Sequence, residues 1–204
     1  YASSATIGDS FELIQATSFT DDFTTTTTPD DLSFARNSNS TFYAVDIVSR
    51  LFTWTADTSG LWSDPTNWGG VLPMAGSDVL IPDLAENIEI IFDNSAGNVS
   101  LNSLQSFENF RLSGGTLNLG EALTDNSSFN SGTLLAFNGG TLGGSGSIDV
   151  TGDFNWSGGS LSGSGLLNLV NAQTTSLGGS ANPTLNGFNL LTDDLVFSDN
   201  AFTL

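Results

Sequence analysis

Apolar residues in the second half of the chain fall in triplets, with one polar residue held between two large apolar ones. These are Leu117-Asn118-Leu119, Ile148-Asp149-Val150, Phe154-Asn155-Trp156, Leu167-Asn168-Leu169 and Phe188-Asn189-Leu190. In a strand, side chains i and i+2 share a face, so each triplet sends two apolar side chains inward and one polar side chain outward. Between the triplets a Gly-Gly pair and a small hydroxyl residue recur: Gly114-Gly115-Thr116-Leu117, Gly139-Gly140-Thr141-Leu142, Gly158-Gly159-Ser160-Leu161, and a decayed copy, Gly178-Gly179-Ser180-Ala181. The steps are 25, 19 and 20 residues. A period in this range predicts a solenoid whose units contact mainly their neighbours. Short strands with glycine at sharp corners describe the coil of a parallel β-helix, with coils stacked about 4.8 Å apart. Leu101, Leu104, Phe107 and Glu108 also fit a short helix over 101–109. The surrounding Asn and Ser residues are poor helix formers and favour strand and turn. An antiparallel sandwich is the rival for the whole zone. The repeated Gly-Gly-Thr-Leu phrase favours the solenoid.

Three zones follow along the chain. Residues 1–50 form an extended leader, read as a linker or a strand reaching a neighbouring subunit. Within it Phe11-Glu12-Leu13-Ile14 and the run from Phe42 to Val48 carry strand-type residues. Between them stand Asp21-Asp22 and five threonines, Thr24 to Thr28, which suit a linker or exposed strand. Residues 51–92 hold a Trp-rich cap and the first strands, including Ile88-Glu89-Ile90-Ile91-Phe92. Residues 93–204 supply the coils.

Composition narrows the function classes. The 204 residues carry 22 acidic and three basic side chains, Arg36, Arg50 and Arg111, with neither Lys nor His, for a formal charge of -19. That balance opposes nucleic acid, since nothing basic can displace counterions from phosphates. It equally opposes anionic lipid. Fifteen Phe and four Trp still furnish a core. No apolar run is long enough to span a membrane. Without cysteine there are no disulfides or thiolate metal sites. A Cys-free, Lys-poor chain rich in Thr, Ser, Asn and Gly fits a bacterial secreted or cell-surface protein. A first residue other than Met fits a removed signal segment or a piece of a longer chain.

Thr53 to Trp68 is the most individual stretch, with Trp54, Trp62 and Trp68 spaced by eight and six. Gly60, Trp62, Asn67, Trp68, Pro73, Asp78, Val79 and Ile81 follow in order. This resembles the Trp-rich opening of large bacterial surface proteins of the autotransporter and filamentous-haemagglutinin type, over roughly residues 51–180. The resemblance implies an all-β, right-handed parallel β-helix, to which the chain's own pattern adds an extended N-terminal segment. It says little of function, because that family includes adhesins, matrix proteins and others. Two features depart from it: these residues contain no membrane-barrel translocator, and the first 50 match no part of the pattern. The three indoles can cap the open first coil, or offer ring faces to sugars with Asp57, Asp64 and Asn67 binding hydroxyls.

Candidate chemistry is thin. The absence of His, Cys and Lys removes the Ser-His-Asp triad and His-based zinc sites. The remaining enzymatic option is a carboxylate pair such as Asp149 with Asp153, or Asp193 with Asp194. Both pairs read more simply as turn acids, and the chain is expected not to be an enzyme. Clustered loop oxygens at Asp21, Asp22, Asp93, Asp193 and Asp194 are weak candidates for Ca²⁺, the one cofactor the composition admits. Contacts between subunits are expected at Phe11 and Leu13 in the leader and at Phe197, Phe202 and Leu204 in an uncapped apolar last turn. The expected function is therefore a self-assembling extracellular subunit of a filament, sheath or biofilm matrix. Its partner would be itself, through head-to-tail contacts and strand donation by the leader. A glycan-binding adhesin passenger is the alternative, and a polysaccharide-degrading enzyme comes third.

Overall fold

The computed structural model describes residues 51–121 and 124–193, without the side chains of 180–182, and the backbone strands Ser10–Gln15, Leu32–Ser38, 42–50 and Val196–Phe197. Nearly every regular element is a strand. From Leu51 onward all strand pairing is parallel. The chain winds as a β-solenoid of about five turns.

Each coil has three faces. The first face is a ladder of 51–53, Asp78–Ile81, Ser103–Ser106, Asn126–Phe129, Ser147–Val150, Leu166–Asn168 and Asn189–Leu191. Leu51, Asp78 and Ser103 stand in register there, as do Asn126, Ser147, Leu166 and Asn189. The second and third faces are the two halves of long bent strands, Asn109–Leu119, Leu134–Gly144, Asp153–Gly163 and Thr174–Asn186. In the coil before them these faces are separate strands, Glu89–Phe92 and Asn98–Leu101, paired to the two halves of Asn109–Leu119. The segment 101–109 is strand and turn, not helix.

The bend falls on the Gly-Gly pairs, and close stacking explains why. The second glycine of each pair has positive φ: Gly115 at 69°, Gly140 at 73°, Gly159 at 85° and Gly179 at 156°. A Cβ on Gly140 would stand 2.7 Å from the Gly114 carbonyl carbon and the Gly115 oxygen of the coil beneath. The corner therefore excludes a side chain on conformational grounds and on space.

The triplets face as alternation dictates. Leu117, Leu119, Ile148, Val150, Phe154, Trp156, Leu167 and Leu169 are buried. In-register stacking makes apolar columns along the axis: Phe92–Leu112–Phe137–Trp156–Leu177 on the second face and Leu117–Leu142–Leu161–Leu185 on the third. The Phe137 and Trp156 rings lie parallel on adjacent coils, 5.5 Å between centroids. Burying each such side chain contributes about 1.5–3 kcal/mol, so the core is a repeated small gain.

The fourth Gly-Gly phrase is out of step. Ser160 pairs with Thr184, not with Ser180, and Gly158 pairs with Ala181. The chain between them bulges, and the column resumes at Thr184-Leu185. The apparent step of 20 thus understates that coil.

At the N-terminal end the strand Phe42–Thr53 is shared. Its last residues form the first rung, while 42–50 pair antiparallel with Ser10–Gln15 and with Leu32–Ser38. The Thr24–Thr28 run lies outside the described residues.

Candidate functional site

The tryptophan stretch is a corner of the first coil, and its named residues hold that corner together. Trp54, Trp62 and Trp68 are 1%, 1% and 5% exposed. Trp68 meets Trp54 edge-on at 5.0 Å and Trp62 at 4.6 Å, and Trp62 continues to Phe92 at 5.4 Å. The Trp68 indole N–H donates to the Trp62 carbonyl at 2.8 Å. Asp64 caps the short 3-10 turn Pro65–Trp68, accepting from the Thr66 amide and hydroxyl. Proline suits the first position of such a turn, where no N–H is needed. Gly69 closes it in the left-handed region. The Asn67 amide donates to the Leu61 carbonyl at 3.0 Å and fills the space beside Gly60, where a Cβ would stand 2.5 Å from it.

This geometry bears on the sugar-stacking reading of the motif. The indoles sit in the core of the first coil and present no ring face on which a sugar could stack. The Asp64 and Asn67 polar atoms serve the turn, and Asp57 is exposed apart from them. These contacts are internal to the solenoid, ring packing for the indoles and turn bonds for Asp64 and Asn67.

The next coil repeats the device with other residues. Asp93 caps the 3-10 turn Asn94–Ala96, accepting from the Ser95 amide and hydroxyl. The Ser63 and Ser95 hydroxyls meet at 2.6 Å across the two coils. The Asn94 side chain then accepts from the Gly115 amide, joining the Asp-type corners to the first Gly-Gly corner. Hydrogen bonds from Thr66 and Ser95, from hydroxyl first and amide second, hold the Asp64 and Asp93 carboxyls below the usual carboxylate range.

The remaining carboxylates do not converge. Asp149 accepts from Asn168 on the first face, and Asp153 accepts from Thr174 on the second. Asp193 borders a concavity of about 340 Å³ beside Leu169, Val170 and Gln173. No group of three or more acidic side chains is placed to share an ion among the described residues. Asp21, Asp22 and Asp194 lie outside those residues, as do Phe202 and Leu204. Phe11, Leu13 and Phe197 lie on described strands, Ser10–Gln15 and Val196–Phe197, whose side chains are not described. No helix among the described residues is long and apolar enough to cross a membrane.

Two features escaped the sequence reading. Glu108 is buried, and its two carboxylate oxygens accept from the Leu84 and Ile88 amides at 2.8 and 2.9 Å, fastening the loop of the preceding coil. A glutamate between Phe107 and Asn109 gives no local sign of this, because the partners are 24 and 20 residues away. The second feature is the C-terminal end of the ladder. Asn189–Leu191 is the last strand of the first face among the described residues, and its final residue, Leu191, is 48% exposed.

Compared with family models, with curated proteins and with solved structures, the chain finds no match in any of the three.

Proposed function

We propose that this chain is a structural subunit of an extracellular filament, sheath or matrix, joined head to tail through the ends of its solenoid. The observation that carries the proposal is the last described rung. On the first face, Asn189–Leu191 offers an outer edge with no strand beyond it among the described residues, and exposes Leu191 there. Such an edge presents a row of backbone donors and acceptors that a further parallel strand can satisfy. A first rung of another copy supplies one with the same spacing. Because the two ends differ, the contact is heterologous and propagates into an open fibre. The N-terminal strands pair with 42–50 of their own chain. Donating them to a neighbour would exchange that pairing for the same pairing in trans.

The resemblance of the Trp stretch to autotransporter and haemagglutinin-like openings supports an outer-surface setting. Sedimentation velocity across a concentration series tests the assembly. Growth of large species with concentration, lost in Leu191→Asp, is the expected result. A wild-type chain that stays monomeric throughout the series refutes it.

A further inference from the structure

We infer that the third face of the solenoid is a binding lane for an extended, uncharged, β-linked polysaccharide chain running along the coil axis. Parallel register builds two outward columns on this face. One is Asn98–Thr116–Thr141–Ser160–Thr184, and the other is Ser100–Asn118–Gly143–Ser162–Asn186.

The charge distribution is the first argument. These ten positions carry no ionisable group in a chain of net charge -19. The other two faces do carry charge. Asp78 and Asp149 project from the first, and Glu89, paired with Arg111, and Asp153 from the second. A neutral ligand meets no repulsion on the third face, whereas an acidic polymer is repelled by the molecule as a whole.

Hydrogen-bonding capacity is the second. Among the described residues the hydroxyls of Thr116, Thr141, Ser160 and Thr184 have no hydrogen-bond partner, and all four residues are partly exposed. On the other faces Ser103 is engaged with Asp78 and Thr174 with Asp153, and the outward Ser128, Ser147 and Ser176 stand singly, whereas the third face stacks four hydroxyls on successive rungs. In the second column Asn118 donates to Ser100 and Asn186 to Ser162, which fixes their amides along the axis. A hydroxyl both donates and accepts, so a row of them matches the alcohols of a sugar chain. A peptide strand would find little here, because the backbone groups of this face are already paired within the sheet.

Shape is the third. Small side chains and Gly143 keep the lane low. Its N-terminal end opens into a concavity of about 330 Å³ lined by Ser100, Asn102, Asn118, Gly120 and Glu121, large enough for a sugar ring. Coils repeat about every 4.8 Å. An extended β-1,4 chain advances by nearly that distance per sugar, so successive sugars meet successive rungs.

Native affinity electrophoresis at low salt, with hydroxyethyl cellulose in the gel, tests the lane. Conditions that keep the chain monomeric read sugar binding whether or not subunits polymerise. The wild-type protein should be retarded by this neutral β-glucan and not by alginate, an acidic one. The double variant Thr141→Asp/Ser160→Asp should need at least tenfold more polymer for the same retardation, and Thr184→Val, which keeps the branched shape, severalfold more. Asn155→Asp, on the second face, should be retarded as much as wild type, each mobility being taken relative to a polymer-free gel. The inference is overturned if hydroxyethyl cellulose does not retard the wild-type chain. It is equally overturned if the lane variants, folded by circular dichroism, bind as well as Asn155→Asp.

Discussion

Glu108 shows how much a single side chain does in a thin solenoid. Its carboxylate lies in the interior and receives two backbone N–H groups from the coil before it. Charged acceptors strengthen such bonds, and removing one leaves a buried amide unpaired. In Glu108→Gln the new NH₂ faces an N–H that needs an acceptor. The variant should lose about 2–3 kcal/mol of stability in urea unfolding. Loss within error of zero would mean that the loop of Leu84 to Ile88 relaxes around the change. Asp93 makes a different case, at an exposed corner. Its carboxyl is held below the ordinary range by Ser95, so the folded state favours the ionised form more than the unfolded state does. That contribution is complete above the ordinary aspartate range and disappears as the pH falls through the lowered folded value. Asp93→Asn should therefore be less stable than wild type at neutral pH and approach it in acid. A gap between the two that is constant with pH would contradict this origin.

At the scale of the element, the corners decide the coil. Gly140 has φ of 73° and a Cβ there would overlap the backbone of the coil beneath. Gly140→Ala combines left-handed strain of about 1–3 kcal/mol with displacement of a stacked corner. It should lower the thermal midpoint far more than Gly132→Ala, whose turn also has positive φ but has open space beside it. Equal effects would assign the cost to conformation alone. The same corners show what a sequence can display. The Leu117, Ile148, Phe154 and Leu167 triplets were legible because strand alternation is local, and the Gly-Gly pairs were legible because stacked corners permit little else. The corners at Asp64 and Asp93 were not, since a capped 3-10 turn replaces Gly-Gly with different residues in the same place. The pairing of Thr184 with Ser160 was hidden by the decayed copy four residues earlier. The strand Leu32–Ser38 had only a short alternation, Leu32, Phe34 and Arg36, to announce it. The third-face lane was invisible for a related reason: its columns form only when register between coils is known.

For the whole molecule, charge and stacking pull against each other. With 22 acidic residues and three basic ones, coils repel along the axis, and the ion pair of Arg111 with Glu89 neutralises little of it. Added salt shortens the screening length to about 10 Å at 0.1 M, so sodium chloride should raise the melting temperature and promote assembly together. A melting temperature that falls over the same range would show that attraction, not repulsion, dominates the charges. Head-to-tail joining of parallel coils also fixes the direction of the repeat. The most direct measurement is X-ray diffraction from aligned assembled material. Head-to-tail fibres should give a reflection at about 4.8 Å along the fibre axis, because strands lie across it and coils stack along it. A 4.8 Å spacing perpendicular to the fibre, or material that yields no fibre at high concentration and salt, would contradict it.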